Sequence, residues 1–228
     1  IFEAAWNSGG NILIPAFAVG RSQELLYWFA KHWDDWGLAK WKIFLDSPMA
    51  SKVVEVYARH EQLFDAEANA LFHEKPHPFH LPNLNYTADV EQSKAINEHK
   101  GGCIIIAGSG MCNGGRIRHH LERNLGNPKN HLLFVGYQAV GTLGRLLVDG
   151  VPEIKLFGEL IKVKAQRHTI GGLSAHTDQA GLIAWYGSFE NHPRLGLVHG
   201  EDDARKALAL ALKTMELLRK WLLILKPA

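Results

Sequence analysis

The chain has 228 residues, of which 46% are hydrophobic, so it is long enough to bury a sizeable core in one or two domains. Its 25 Lys and Arg residues nearly balance 23 Asp and Glu residues, and a net charge of +2 is too small to indicate a polyanion partner, so any nucleic-acid binding must be local. The sequence contains no apolar run long enough to span a membrane and no signal peptide, and its two cysteines, Cys103 and Cys112, are expected to be reduced thiols. We therefore expect a cytoplasmic protein.

Short apolar segments alternate with helical patterns through the first 150 residues. In residues 11–37 the run ILIPAFAV precedes Leu25, Leu26 and Phe29 at helical spacing. The unit recurs with the segments KIFLD, GCIIIA and HLLFVGY, each followed by a helical pattern. This alternation predicts an α/β fold, with a parallel sheet covered by helices on both faces. Residues 1–8 resemble the end of a helix, so we expect the chain to come from a longer protein.

The pattern changes twice further along the chain. Residues 72–90 contain three prolines and no periodicity, which predicts an irregular excursion over the surface. After Gly150 the sequence VPEIKLFGELIKVKAQ predicts a β-hairpin that turns near Gly158. A helix over residues 178–189, a strand in RLGLVHG and a helix from Asp202 follow. That last helix has apolar residues at helical spacing, namely Leu208, Leu212, Met215, Leu218 and Leu222.

Two histidines lie in turns that are rich in small residues. His176 lies in LSAHTD, and His199 ends the apolar strand in LVHGE. Ligands and metals gather at the carboxyl ends of strands in α/β proteins, imidazole binds zinc well, and Gly200 leaves room for further ligands. Asp178 could orient an imidazole by a hydrogen bond without touching the metal itself. Spacing alone leaves an ordinary polar-loop role equally open.

A glycine-rich loop, GSGMCNGGR at residues 108–116, separates a strand from a helix. Its glycines, including Gly110, let backbone N–H groups approach an anion, and the helix N-terminus favours phosphate. A tight structural turn is an equally good alternative. The helix has a buried stripe of Ile117, Leu121 and Leu125 and a predicted solvated face of Arg116, His119, His120 and Arg123. We hypothesise that Ser109 and Arg116 line a nucleic-acid path.

Further polar groups allow more than one interpretation. Asp46, in DSPMA, has the position of a catalytic carboxylate, but a helix cap formed by Asp46 or Ser47 before proline is the preferred explanation. His168, with Lys164 and Arg167, could contact phosphates, although alternation in a strand explains Lys164 equally well.

Seven motifs follow one another along the chain: GGNILIPAFAVGRSQELL, IFLDSPMA, PF…LPNL…VEQSKAIN, IIIAGSGMCNGGRIRHHL, FVGYQAVGTLGR, HTIGGLSAHTDQAGLIAW and LVHGE. In this order they resemble the β-CASP branch of the metallo-β-lactamase superfamily, which includes ribonuclease J and the endonuclease of pre-mRNA 3′-end cleavage. The resemblance implies a β-CASP domain over residues 1–174, with its start cut. Residues 175–228 would be the incomplete C-terminal return of a metallo-β-lactamase (αββα) fold.

The resemblance also implies a function and roles for particular residues. Enzymes of this family use two zinc ions to activate water for attack on a phosphodiester. By resemblance, His199 matches the motif C histidine, a zinc ligand. His176 matches the motif B histidine beside the scissile phosphate, where imidazole can stabilise charge or protonate the leaving oxygen. The resemblance also implies that single-stranded RNA lies in a cleft between the β-CASP domain and the metallo-β-lactamase part, with Ser174 and His168 among its contacts.

The family's HxHxDH motif, a further histidine, a bridging aspartate and the motif A acidic residue all precede the region where this sequence begins. His73, His77 and His80 do not replace them, because they align with a variable loop of the family. One or two histidines cannot hold two zinc ions, so this segment alone is expected to be inactive, whereas the intact enzyme would be active.

Three alternatives to an RNA nuclease remain. A DNA-directed nuclease is disfavoured because the DNA-repair branch usually has valine where His199 stands. A non-catalytic RNA-binding paralogue would tend to lose motif residues, and both His176 and His199 are retained. A small-molecule metallo-hydrolase would lack the inserted domain. The sequence does not indicate the mode of cleavage, the RNA substrate, or whether the protein is a monomer or a homodimer.

Overall fold

The structure of the protein is a computed structural model that describes residues 1–191, 193–214 and 222–224. The chain divides into two compact units, Ile1–Leu173 and Ser174–Ala228. Among the described residues, no helix has both the length and the apolar character needed to cross a membrane.

The first unit alternates strands with helices, as the sequence pattern predicts. Its strands are β1 (Ile12–Pro15), β2 (Lys42–Asp46), β3 (Leu84–Tyr86), β4 (Cys103–Ala107), β5 (His131–Phe134), β6 (Glu153–Leu156), β7 (Glu159–Lys162) and β8 (Gln166–Thr169). Its α-helices are α1 (Phe2–Ser8), α2 (Arg21–Lys31), α3 (Pro48–Arg59), α4 (Ala66–Phe72), α5 (Val90–Ala95), α6 (Ile117–Asn124) and α7 (Leu143–Val148). Short 3₁₀ helices lie at Leu38–Lys40, Glu61–Leu63, Pro78–His80 and Ile96–Glu98.

Six strands form a parallel sheet in the order β3, β2, β4, β1, β5, β8, which confirms the predicted parallel α/β architecture. Successive side chains of a strand point to opposite faces. Ile12 and Ile14 therefore pack in one core cluster with residues of α2 and α3, whereas Leu13 packs in another with residues of α6 and α7. Because helices cover both faces, the central strands are buried on both sides and are apolar at every position.

The predicted surface excursion over residues 72–90 is wrong in part. Phe79 and Leu81 are buried in the core, and β3 pairs with β2 at the edge of the sheet, with Leu84 opposite Ile43. A three-residue edge strand is too short to show a period, and the prolines beside it mask the apolar residues that enter the core.

The predicted hairpin is confirmed. β6 and β7 pair antiparallel, with Leu156 opposite Glu159, and Phe157 and Gly158 form the turn. Ile154 and Leu156 are buried against the α6 side of the sheet.

The second unit contains α8 (Gln179–Gly187), β9 (Leu195–Leu197), α9 (Asp202–Thr214) and β10 (Leu222–Ile224). β9 and β10 are parallel neighbours, with Leu195 opposite Leu222. The apolar spacing predicts a helix that continues through Leu222. This prediction is wrong at Leu222, which lies in β10, because pairing with β9 overrides the local helical pattern. Met215 and Leu218, from the same expectation, lie outside the described residues.

Candidate functional site

Loops converge at the carboxyl edge of the six-stranded sheet because all of its strands run in the same direction. β2, β4 and β1 are adjacent, so Asp46 at the end of β2 lies next to the end of β4 and the glycine-rich loop that follows it. Open α/β sheets place ligands at this edge. This edge is therefore the expected position of a ligand site in the first unit.

Asp46 is fully buried and lies at the centre of a polar network. Its Oδ1 accepts hydrogen bonds from Arg116 Nη1, at 2.7 Å, and from the Thr87 hydroxyl. Its Oδ2 accepts one from the Ser93 hydroxyl at 2.6 Å and lies 2.6 Å from His120 Nε2. Burial by itself would raise the pKa of Asp46, but the hydrogen bonds from His120, Ser93, Thr87 and Arg116 outweigh it and hold that pKa well below its usual range.

This network corrects the prediction of a solvated face on α6, and the structure shows which of the two candidate residues caps α3. His120 is 1% exposed and Arg116 is directed to Asp46, so neither belongs to a solvated face, although His119 and Arg123 are exposed as predicted. The helix cap of DSPMA is Ser47, whose hydroxyl accepts the Ala50 N–H at 3.2 Å, and Asp46 takes no part in it. With four donors around it and no exposed surface, the Asp46 carboxylate is built to position its neighbours and not to act as a base.

The glycine-rich loop is a tight turn in this structure. The Ser109 hydroxyl accepts the Gly114 N–H at 3.2 Å, and Ser109 N–H donates to the Gly114 carbonyl at 3.1 Å. Gly110 is buried against the Phe17 ring, which a Cβ on Gly110 would approach to 2.8 Å. Nucleic-acid contact by Ser109, Gly110 and Arg116 stays a prediction, and the internal hydrogen bonds of the loop favour its structural alternative.

His168 lies on β8, the edge strand beside β5. Its Nε2 is 2.9 Å from Nδ1 of His131, and the two rings are stacked 5.1 Å apart at 5°. Burial, as the largest effect, lowers the pKa of both imidazoles, and this favours the neutral form of each ring. Contact between His168 and phosphate stays a prediction, because its Nε2 already faces His131.

In the second unit, His176 and His199 are both exposed. His199 follows β9 by two residues and has a left-handed backbone, with φ at 63°. The Ser174 hydroxyl accepts the His176 N–H at 3.3 Å and lies 3.4 Å from its Nδ1. Asp178 caps α8 by accepting the Gly181 N–H at 2.8 Å, which is a structural role. Its role in orienting an imidazole stays a prediction.

No group of three or more His, Cys, Asp or Glu side chains within the described residues could hold a metal ion. Two exposed imidazoles supply too few ligands for a zinc site, which normally has three or four from the protein. His77 is a local cap, since its Nδ1 accepts the Phe79 N–H at 3.1 Å. The described residues therefore supply at most part of a metal site.

Two segments of the chain match known families. Residues 22–147 match the Beta-Casp domain, and residues 160–223 match the Zn-dependent metallo-hydrolase RNA specificity domain. Together with the parallel α/β sheet, these matches define a β-CASP type of metallo-hydrolase architecture. The chain belongs to the β-CASP family of the metallo-β-lactamase superfamily.

Curated relatives agree with this assignment. Ribonuclease TTHA0252 of Thermus thermophilus is 41% identical over 218 residues, which are 95% of this chain and 49% of the relative. Transcription termination factor FttA of Thermococcus kodakarensis is 35% identical over 209 residues, 89% of this chain and 32% of the relative. FttA of Methanocaldococcus jannaschii is 32% identical over 201 residues, 86% of this chain and 32% of the relative. The chain thus spans between about a third and a half of the length of these relatives.

Proposed function

We propose that this chain is part of a zinc-dependent nuclease that hydrolyses phosphodiester bonds in single-stranded RNA, in RNA processing or decay. The observation that carries the proposal is the match of residues 160–223 to a Zn-dependent metallo-hydrolase RNA specificity domain, because this segment contains both His176 and His199. The name of the Thermus relative, a ribonuclease 41% identical to this chain, supports the same activity.

His199 is the proposed zinc ligand. It lies just past the carboxyl end of β9, its side chain is exposed, and Gly200 after it adds no bulk near the imidazole. A bound zinc ion would supply Lewis-acid chemistry and a hydroxide at neutral pH. The remaining ligands lie outside the described residues in this proposal, since those residues contain no group of three suitable side chains.

His176 is the proposed catalytic residue beside the scissile phosphate. Imidazole can bind a phosphate oxygen or give a proton to a leaving oxygen near neutral pH. The Ser174 hydroxyl, which is 3.4 Å from Nδ1 of His176, would help to orient the ring, and Ser174 could itself contact a phosphate. Asp178 would act through the same turn, by fixing the start of α8.

A non-catalytic RNA-binding protein is the second candidate. The observation that favours it is the lack of a three-ligand metal group among the described residues. The termination-factor name of the archaeal relatives is compatible with either candidate. A DNA-directed nuclease has less support, because the description of the matched segment refers to RNA.

The first prediction separates the two histidines and decides between these candidates. In the protein that carries this chain, His199→Ala should lower zinc content and abolish cleavage of end-labelled single-stranded RNA. His176→Ala should keep most of the zinc and RNA affinity, and should lower turnover by about 100-fold to 10,000-fold, the usual contribution of a general acid or base.

His73→Ala is the matched control, since His73 is also exposed but lies in the first unit. It should leave zinc content and cleavage unchanged. Normal cleavage by either His176→Ala or His199→Ala would contradict the role assigned to that residue. RNA binding by a wild-type protein that neither holds zinc nor cleaves would favour the non-catalytic candidate.

A further inference from the structure

The tip of the β6–β7 hairpin holds an aromatic residue where the backbone favours glycine or asparagine. Phe157 has a φ of 49° and Gly158 a φ of 93°. Left-handed backbone is unfavourable for a bulky residue and easy for glycine or asparagine. Phe157 is nevertheless 47% exposed, so its ring is not kept there by burial in a core.

Two side chains of α6 hold the Phe157 ring in place. The His119 imidazole stacks on it at 4.6 Å between centroids and 12° between planes. The Arg118 guanidinium carbon lies 4.7 Å from the centroid of the same ring. His119 is itself exposed, so the hairpin tip and α6 present a preformed array of flat groups at the surface.

Positive charge gathers around this array. Residues 117–124 and 151–167 contain six Lys or Arg against three Glu, a net charge of +3 where the whole chain has +2. On the hairpin, Ile154 and Leu156 point inward, so Lys155 and Lys162 lie on the outward face, where Glu153 opposes Lys162. Five of the six cationic residues are exposed, namely Arg123, Lys155, Lys162, Lys164 and Arg167.

We propose that α6 and the β6–β7 hairpin, together called the α6–hairpin face, form a separate contact surface for single-stranded RNA. Phosphates would meet Lys155, Lys162 and Arg123, and a base would stack on the exposed part of the His119 and Phe157 rings. Flat side chains beside cations are the combination that binds single strands without sequence preference. The choice of RNA as the partner rests on the proposed function, whereas the position of the surface rests on the ring contacts and the charges around them. Phe157 falls between the two matched segments, 22–147 and 160–223, so neither family match accounts for it.

Phe157→Asn is the sharpest test of the ring. Asparagine tolerates the left-handed backbone of this turn, so the change removes the ring without a backbone penalty. The dissociation constant for a fluorescein-labelled oligouridine of about 20 nucleotides should rise by about 5-fold to 100-fold, the loss expected for one stacked base. Phe157→Tyr keeps the ring and should bind like the wild type. Both variants are measured in the protein that carries this chain, well below their unfolding temperatures.

Lys155→Gln with Lys162→Gln tests the charge. The slope of log affinity against log salt, measured upward from about 50 mM KCl, should become less steep by about 1.4, or about 0.7 for each phosphate that is no longer neutralised. The matched control is Lys52→Gln with Lys100→Gln, which removes two charges that are also exposed but lie outside the α6–hairpin face. The control should keep the wild-type slope.

The possible results separate this inference from the proposed function. Wild-type affinity in Phe157→Asn with a lower thermal midpoint would show that the ring only fastens the hairpin to α6, and would overturn the inference. Weaker binding by the lysine pair with an unchanged salt slope would also overturn it, because the contact would not be to phosphate. If the wild type binds and the hairpin variants bind equally well, only this inference fails. If the wild type binds no oligouridine, the RNA partner of the proposed function fails with it.

Discussion

A carboxylate that is excluded from solvent is stable in its charged form only when donors surround it, and Asp46 has four such partners. Arg116 and His120 stand 70 and 74 residues away from Asp46 in sequence. Periodicity within α6 identifies the apolar stripe that contains Ile117 and Leu121, but it carries no information about a partner on another strand. For this reason the sequence predicts a solvated face where the structure has a buried polar network.

The second prediction concerns the Asp46 network. Asp46→Asn should destabilise the protein by about 3 kcal/mol at about pH 7, because it leaves the Arg116 charge without its buried counterion. The pKa of Asp46 is lowered in the folded state, so its contribution to stability is complete above the unfolded pKa of about 4 and is lost as the pH falls below that value. The difference in unfolding free energy between wild type and variant should therefore be constant from about pH 7 to pH 5 and smaller at about pH 3.

Urea denaturation at these pH values measures the difference. Asp149→Asn is the control, because Asp149 forms an exposed i, i+4 pair with Arg145 at 2.7 Å, and such pairs contribute about 0.5 kcal/mol or less. An Asp46→Asn variant as stable as the control at neutral pH would contradict the importance of the network.

At the level of elements, buried strands are the part of this fold that sequence predicts best. The runs in β1 and β4 are apolar at every position because both of their faces are covered, and no polar alternation competes with that pattern. β3 and β10 are not predicted, since each has three residues and forms through pairing with a neighbour that is distant in sequence. Local propensity decides little in such short strands.

The third prediction concerns the loop between β4 and α6. Gly115 has a φ of 73°, and a Cβ there would lie 2.3 Å from the Gly108 carbonyl oxygen. Gly115→Ala should therefore cost about 2 kcal/mol or more, from the left-handed backbone and the backbone clash together. The neighbouring Gly114 has nothing within 4 Å of its would-be Cβ and no left-handed φ, so Gly114→Ala should change stability by about 0.5 kcal/mol or less. Chemical denaturation of the two variants gives the comparison, and equal stability of both would show that the loop can shift away from the clash.

At the level of the whole molecule, the sequence predicts the family more completely than it predicts the site. The order of motifs can be seen directly in the sequence, so seven short segments suffice to identify the β-CASP family. The matches over residues 22–147 and 160–223 confirm this identification. A metal site instead needs donors that converge in space, and those within the described residues do not reach three at one place. The roles of His176 and His199 stay predictions for that reason.

The last prediction follows from where the apolar core lies. All three buried clusters of the described structure consist of residues from the first unit. In the second unit the buried apolar residues among those described are Tyr186, Leu197, Ala209 and Leu212. A chain of residues 1–173 should therefore fold by itself and unfold cooperatively in urea, with far-ultraviolet circular dichroism typical of an α/β protein. Among the described residues, 174–228 bury only those four apolar side chains, which offset little conformational entropy, so this piece alone should lack a cooperative transition. A cooperative transition in the short piece together with none in the long one would reverse this assignment of stability.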